Sequence, residues 1–280
     1  MRLITIGCVG CAKEQETPMT KGQSDVQIHE GPLLQVELRD DLTLRGRCPK
    51  GHNMVHFLDA EKFEILFDLG IMALLDGYSR EAGSSIAAAI ERVHQFAIEV
   101  FLQHVEQAVF QSTWKELAND SKRQLGAFLM LYASAFGKKP PKISDKNVNL
   151  RNKMVHKGTI PTRDEIMGYA RDMYQYMVNT VTELREKLAD QFFTVHENDM
   201  QSRSSKISDG DVPVKHRIRT MYQCSFEKDE VGKRDFNAAL ETFKTWRWDS
   251  ASHLIVYRTD AGYEVSSVDA RSLLAETKAS

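Results

Sequence analysis

The chain lacks two features that would place it in a membrane or outside the cell. Its 280 residues contain no uninterrupted apolar run approaching about 18 residues, the length that suggests a membrane-spanning helix. The apolar start, residues 1–10, is short and has no substantial basic segment of the kind that precedes a signal peptide core. We therefore expect no membrane span and a cytoplasmic protein.

A large excess of charge is also absent. The formal net charge is −2, with 27% charged and 42% hydrophobic residues, which is typical of an ordinary folded protein. A polycation that coats nucleic acid is thereby excluded, and any contact with RNA has to come from a local basic patch. The length is enough for one large domain or a few small ones, each with its own core.

Cysteine is scarce, and its four positions are Cys8, Cys11, Cys48 and Cys224. In a reducing compartment, a Cys-x-x-Cys pair indicates a metal or redox site rather than a disulfide. Cys8 and Cys11 form one such pair, and Cys48 is followed four residues later by His52. Three thiolates and one imidazole are a tetrahedral set suited to a structural Zn²⁺, which would leave no open position for a reacting water.

Other interpretations of these residues stay open. The cysteines can be unrelated to one another, Cys8 and Cys11 can be a redox pair, and His56 can take the place of His52. Short β runs at residues 26–29, 33–38 and 42–45 lie between the two pairs. Because strands that lead into such ligand pairs are typical of a zinc ribbon, we predict a zinc-ribbon-like domain at residues 1–58.

The apolar spacing changes to a helical period near residue 59, and residues 59–195 are predicted to form a helical bundle. One helix should start near Ser79 and run for roughly 30 residues, since no proline interrupts it. Asn119-Asp120-Ser121 is expected to form a break and the N-cap of another helix, which should end at Gly137. Thr162 is expected to cap a further long helix that continues to Asp190.

The C-terminal part is predicted to be a linker, residues 196–214, followed by a small α+β domain, residues 215–280. That domain should contain a helix within residues 232–246, a hairpin of residues 254–258 and 263–267, and a short helix at 269–277. Trp246 and Trp248 would either stack on RNA or pack a small core. The fold class is thus mainly α, with a small β region at the N-terminus and a small α+β region at the C-terminus.

A basic segment, residues 150–158, lies between two apolar helical patterns. Arg151 could hold a phosphate with two hydrogen bonds, and His156, whose type titrates near neutrality, could transfer a proton beside it. Lys153 and Lys157 would attract an RNA backbone. The simpler alternative is a basic helix end with a solvated histidine.

The sequence Arg151-Asn152-Lys153-Met154-Val155-His156 resembles the R-x4-6-H motif of HEPN domains in its RN-x3-H form. The long helix that follows a Thr/Pro turn is similar to the same family, and the resemblance spans residues 60–192. It implies an all-α bundle that usually dimerises, so that two motifs share one cleft. It also implies metal-independent endoribonuclease activity, as in toxin–antitoxin and anti-phage systems, with an antitoxin or defence-system protein as a further partner.

The resemblance gives each motif residue an expected role. His156 would accept the 2′-OH proton or protonate the leaving 5′-oxygen, and Arg151 would stabilise charge on the phosphoryl oxygens. Asn152 would orient either Arg151 or His156 by hydrogen bonding. Lys153 and Lys157 would bind the substrate. The alternative function is a non-catalytic adaptor in which the zinc ribbon and the helices bind nucleic acid or a partner protein.

Overall fold

The computed structural model describes residues 3–14, 26–28, 33–207, 213–218, 220–222, 235–245, 253–259 and 262–268. The chain divides into two compact units, and each of them combines separate segments of the sequence. We call residues 1–60, 199–219 and 241–280 the sheet unit, and residues 61–198 and 220–240 the helical unit. The chain is mainly helical with small β elements, which confirms the predicted fold class.

The elements follow one another along the chain as an N-terminal β region, a long helical region and a C-terminal mixed region. They are β1 (Leu3–Gly7), α1 (Val9–Glu14), β2 (Val26–Ile28), β3 (Leu33–Glu37), β4 (Thr43–Arg47), β5 (Asn53–Leu58), α2 (Lys62–Leu75), α3 (Ser79–Phe101), α4 (Gln107–Leu117), α5 (Ser121–Phe136), α6 (Asp145–Lys157), α7 (Arg163–Lys187), α8 (Ala189–Ser205), β6 (Pro213–Arg217), α9 (Phe236–Thr245), β7 (His253–Thr259) and β8 (Gly262–Val268).

The sheet unit joins the two ends of the chain. Its larger sheet has the strand order β2-β7-β8-β6-β5-β4, and β1 pairs with β3 in a separate two-stranded sheet. Strands β4 and β5 are antiparallel, as are β7 and β8, whereas β6 is parallel to both β5 and β8. The division into separate domains at residues 1–58 and 215–280 therefore differs from the structure, because strands from both segments share one sheet.

The predicted linker, residues 196–214, also differs from the structure. Helix α8 continues to Ser205, and β6 begins at Pro213. The side chain of Arg203 is 5% exposed and donates hydrogen bonds to the carbonyl oxygens of Leu58 and Ala60, at 2.7 and 2.8 Å. A buried guanidinium that satisfies two buried carbonyls holds this polar segment in place, which its composition alone did not indicate.

In the helical unit, α3 is the central helix and packs against α2, α5, α6 and α7. Phe96 on α3 makes edge-to-face contacts with Phe63 on α2 and with Phe192 on α8. Helix α3 has 23 residues and is shorter than predicted. The chain turns after α3, and the next helix, α4, has no buried residue. A longer α3 would therefore have buried no further side chains.

Several helix ends agree with the sequence-based predictions. The Asp120 side chain accepts hydrogen bonds from the first turn of α5, which ends at Gly137 in the left-handed conformation. Thr162 and Glu165 form a capping box at the start of α7. Helix α9 and the β7–β8 hairpin lie where a helix and a hairpin were predicted.

Some predictions fall outside the described residues. These are the interpretation of Trp246 and Trp248 and the helix at residues 269–277. Within the part of the chain that the structure describes, no helix combines the length and apolar character needed to cross a membrane.

Candidate functional site

Helix α6 carries the basic motif and is bounded clearly at both ends. The Ser144 side chain accepts a hydrogen bond from the Asn147 amide at 3.3 Å, which starts the helix. Gly158 ends it with φ of +65°, a left-handed conformation that favours glycine. The amide of Thr159 then donates to the Lys153 carbonyl at 3.1 Å. The motif therefore occupies the last two turns of a short, defined helix.

Two buried side chains hold α6 against its neighbours. Met154 is fully buried, and its sulfur lies so close to Gly83 of α3 that a Cβ at position 83 would overlap with it. Asn147 is 3% exposed and donates from Nδ2 to Asp172 Oδ2 on α7 at 2.7 Å. Because α6 is fixed to both α3 and α7, the side of α6 that carries Arg151 faces α3.

Arg151 connects the motif to the long helix. Its Nη2 donates to Glu91 Oε1 on α3 at 2.5 Å, and the two side chains are 26% and 30% exposed. Its Nη1 lies 3.2 Å from Asn152 Oδ1 and 3.2 Å from His156 Nε2. Arg151, Asn152 and His156, the three residues assigned to catalysis from the sequence, are thus in mutual contact through the guanidinium.

The contact with Arg151 constrains the form of His156. A guanidinium only donates hydrogen bonds, so His156 Nε2 must accept and must be without a proton in this arrangement. An unprotonated imidazole nitrogen is the form that a general base needs. Arg151 has five N–H groups, and its three contacts leave two of them for an anion. When a substrate replaces His156 on Arg151 Nη1, His156 Nε2 becomes free to accept a proton, and the guanidinium can bind a phosphoryl oxygen at the same exposed place.

The two lysines assigned to the substrate are not part of this contact group. Lys153 and Lys157 are exposed, and Lys153 projects about 200° around the helix from Arg151. Hydrogen bonds from Thr162, with a smaller effect of Lys153 and Lys146, lower the pKa of Glu165. Lys153 is thus on the side of α6 toward the start of α7, away from Arg151.

Glu91 is a site residue that the sequence did not assign. It lies 60 positions before Arg151, so that no spacing rule connects the two. The only indication was a charged residue on an otherwise apolar stretch of helix, where a buried or partly buried charge needs a partner. Tyr169 of α7 is also close, since burial, together with the charge of Glu91, raises its pKa although Arg151 opposes the shift.

The sheet unit contains a second candidate site, formed by Cys8, Cys11, Cys48 and His52. One ligand atom from each lies within 4.8 Å of all the others. The sulfurs of Cys8, Cys11 and Cys48 are 3.6, 3.4 and 3.5 Å from His52 Nδ1, and the Cys11 and Cys48 sulfurs are 3.8 Å apart. A tetrahedral ion with bonds of about 2.3 Å to sulfur and 2.05 Å to nitrogen gives edges of roughly 3.8 and 3.6 Å. The four residues fit one metal ion.

The thiols of this cluster do not ionise alike. Burial raises the pKa of Cys8 and raises that of Cys11 to about 12, and the neighbouring sulfurs add to the increase at Cys11. Burial would also raise the pKa of Cys48, but hydrogen bonds from the His52 amide and from the other thiols lower it to about 6. A divalent cation would relieve the repulsion among three thiolates, which is the usual reason that such clusters bind metal.

Two further residues shape the cluster, and the sequence did not single them out. A Cβ at Gly10 would lie 2.6 Å from the His52 ring, so the ring can approach only because position 10 is glycine. Glu14 Oε1 is 3.0 Å from His52 Nε2, while its other oxygen accepts from Lys50 at 3.1 Å. A carboxylate behind a ligating histidine fixes the ring orientation and leaves Nδ1 for the metal.

His56 is not part of this cluster, contrary to the alternative in which it replaces His52. It lies on β5, is fully buried, and its Nδ1 is 3.3 Å from Nδ1 of His216 on β6. Residues 54–58 of β5 are all buried, so His56 lies in the interior of the sheet unit.

Comparisons with protein-family models, with curated proteins and with solved structures found no match to this chain.

Proposed function

We propose that this chain is a metal-independent endoribonuclease of the HEPN type. The observation that carries the proposal is the distance of 3.2 Å between Arg151 Nη1 and His156 Nε2 at an exposed helix end. It combines a fixed cation with a proton acceptor, and RNA cleavage needs both, next to the scissile phosphate. The proposal includes a homodimer in which two such pairs line one cleft.

The cleavage reaction follows from these two groups. His156 accepts the proton of the ribose 2′-OH, and the 2′-oxygen attacks the adjacent phosphorus. The bond from phosphorus to the 5′-oxygen breaks, and the leaving 5′-oxygen takes a proton from solvent water. Arg151 stabilises the charge that develops on the phosphoryl oxygens. Glu91 and Asn152 keep the guanidinium in position before the substrate binds. The products are a 2′,3′-cyclic phosphate and a 5′-OH, and DNA is not cleaved because it has no 2′-OH.

Cleavage of single-stranded RNA in the presence of EDTA tests this mechanism. We expect His156→Ala to reduce the rate by about 10²–10⁴-fold, the usual contribution of a general acid or base. Arg151→Ala should also lose activity, and Lys157→Ala should affect binding more than turnover. The mechanism would be contradicted if His156→Ala or Arg151→Ala cleaved RNA at the wild-type rate. A requirement for added metal would contradict it as well.

We further propose that Cys8, Cys11, Cys48 and His52 bind a structural Zn²⁺. Three buried sulfurs and one imidazole fill a tetrahedral shell, so a bound ion would stabilise the sheet unit and take no part in the reaction. Removal of the metal with a strong chelator should lower the unfolding temperature, and Cys11→Ser should do the same.

Metal analysis of the purified full chain checks this site. We expect one zinc per chain in the wild type and loss of it in Cys11→Ser, whereas Cys224→Ser serves as the matched control and keeps it. Cobalt substitution should give the absorption bands of a tetrahedral thiolate site. Equal zinc content in all three proteins would show that the metal is bound elsewhere.

The proposed cellular role is that of a toxin or anti-phage defence effector, which rests on the HEPN resemblance. Expression in bacteria should then arrest growth with the wild type and not with His156→Ala. A wild-type chain that binds RNA without cleaving it would instead be an adaptor, which is the alternative function.

A further inference from the structure

The helical unit has a cleft of about 650 Å³ between the end of α5, the basic segment that follows it, and α7. Lys138, Lys139 and Pro141 line one side, and residues within 175–187 of α7, which include Glu183 and Glu186, line the other. A volume of this size is in the usual range for a site that binds a small molecule or part of a larger one. The proposed cleavage reaction does not use it.

The base of the cleft is a fixed ionic network. Glu183 is 15% exposed and binds the ammonium groups of Lys138 at 2.7 Å and Lys187 at 3.0 Å. The Tyr132 hydroxyl donates to the other oxygen of Glu183. Burial alone would raise the pKa of Glu183, but these three hydrogen bonds lower it, so that the carboxylate is ionised. The Glu183 carboxylate thus offsets part of the charge of these two lysines, and Lys139 carries the unpaired positive charge among the lining residues.

The remaining lining groups suit a nucleotide chain. Gln175 Nε2 donates to Asn179 Oδ1 at 2.8 Å, and this bond does not use the amide hydrogens of Asn179 or the side-chain oxygen of Gln175. Lys139 is exposed at the rim. Pro141 and Val178 add apolar surface beside these polar groups. Lysines for phosphates, amides for base edges and an apolar surface for a ring are the combination that binds single-stranded RNA.

Further basic residues continue from the cleft toward the proposed active site. Lys142 follows Pro141 and pairs with Asp145 at 3.0 Å, and Lys146 is on the first turn of α6. Lys153 and Lys157 are seven and eleven residues beyond Lys146, so that the three lie within about 40° on one exposed side of α6. The side of α6 that carries His156 is adjacent.

We propose that the cleft is a second binding site for the RNA substrate, distinct from the site of cleavage. A single-stranded segment binds between Lys139 and Asn179, and the strand continues along the lysine side of α6 to the adjacent His156. The identity of the ligand rests on the proposed function, but binding in the cleft does not require cleavage. The cleft would make the enzyme select long single strands over very short ones.

Binding of a fluorescein-labelled single-stranded oligouridylate, measured by anisotropy over a range of salt concentrations, tests the site. His156→Ala is the background, so that the probe stays intact. Lys139→Ala should weaken binding and make the slope of log K against log salt shallower by about 0.7 for each phosphate that the protein no longer neutralises. Lys115→Ala on α4 removes the same charge from another exposed position and should leave both quantities unchanged.

Steady-state cleavage separates this binding site from the active site. In chains that keep His156, the substitutions Lys139→Ala and Asn179→Ala should each raise KM for the oligouridylate without changing kcat. Neither should change kcat/KM for a dinucleotide, which is too short to reach the cleft. If Lys139→Ala bound the oligouridylate with the wild-type affinity and the wild-type salt slope, the proposed cleft site would be overturned. The proposed ribonuclease function would not be affected by that result. A changed slope with no cleavage by the wild type would support the cleft and contradict the ribonuclease, and no RNA binding at all would contradict both.

Discussion

Histidine side chains in this chain show how local surroundings set the chemistry of one residue type. His156 is exposed and accepts a hydrogen bond from Arg151. His52 faces three sulfurs with one nitrogen and Glu14 with the other. His94 is buried, lies 2.8 Å from the Tyr176 hydroxyl and stacks on Phe128. The proposed general base, the proposed metal ligand and a neutral core residue thus share one side-chain type.

The buried His94 gives a pH dependence whose sign is fixed. Burial lowers its pKa from 6.5 to about 4, so the folded state favours the neutral form and the unfolded state binds more protons between these values. Its contribution to stability is complete above about pH 6.5 and is lost as the pH falls toward 4. Burial likewise lowers the pKa of His216 to about 4, so that the sheet unit should be weakened in the same range.

Urea denaturation between pH 4.5 and 6, followed by circular dichroism, measures this effect for His94. In His94→Gln, the slope of the unfolding free energy against pH should be smaller than in the wild type by about 1.4 kcal/mol per pH unit. His104→Gln is the control because His104 is exposed in the turn after α3. An unchanged slope in His94→Gln would show that His94 is not kept neutral by the fold.

At the scale of elements, the approach of α6 to α3 positions the candidate active site. Gly83 lets Met154 of α6 pack directly on α3, the helix that also carries Glu91, the partner of Arg151. A Cβ at position 83 would overlap with the Met154 sulfur and would lie 2.6 Å from its methyl carbon and 2.9 Å from Ile166. The distances are far below van der Waals contact, and the flexible end of Met154 is the part that would have to move.

Gly83→Ala should therefore destabilise the helical unit, although alanine is the better helix former. The gain in helix propensity of about 1 kcal/mol is opposed by an overpacking cost of roughly 1–3 kcal/mol. Gly168→Ala on α7 is the matched control, since nothing lies within 4 Å of its Cβ position, and it should be more stable than the wild type. Thermal unfolding of the two variants and an RNA cleavage assay would check this, with lower activity expected only for Gly83→Ala.

At the scale of the whole molecule, the proposed dimer would complete the active site. Val148, Val155 and Ile160 are 42%, 40% and 77% exposed. Val148 and Val155 are two turns apart on α6, so they lie on one side of the helix, next to Arg151. Exposed aliphatic side chains beside the motif fit a surface that a second copy would cover in the proposed dimer.

Val148→Asp should shift the chain from dimer to monomer in sedimentation and reduce cleavage, because a buried aspartate without a partner is costly. Val109→Asp on α4 is the control, since Val109 is 50% exposed and outside this surface. The wild type should also lose activity per chain on dilution below the dimer dissociation constant. Full activity of a monomeric Val148→Asp would contradict the composite site.

The sequence by itself determined most of the bundle helices and the local chemical groups. Helical periodicity gave the bundle, Asp120 and Thr162 gave helix starts, and the spacing of Cys8, Cys11, Cys48 and His52 gave a ligand set that the fold brings together. The helix starts depend on neighbours a few residues away. The ligand set depends on cysteine and histidine, whose chemistry suits them to few roles, such as metal binding. Arg151 and His156 belong to this group, since one short helix contains both.

Only the tertiary structure decided which residues that are far apart along the chain come into contact. The pairing of β5 with β6, which joins His56 to His216 across 160 positions, made one sheet from segments that the sequence had divided. The contact of Arg151 with Glu91 and the support of His52 by Glu14 were decided in the same way. Hydrophobic patterning shows that a strand or helix has a face to bury, but the partner is chosen by packing and hydrogen bonding over the whole fold.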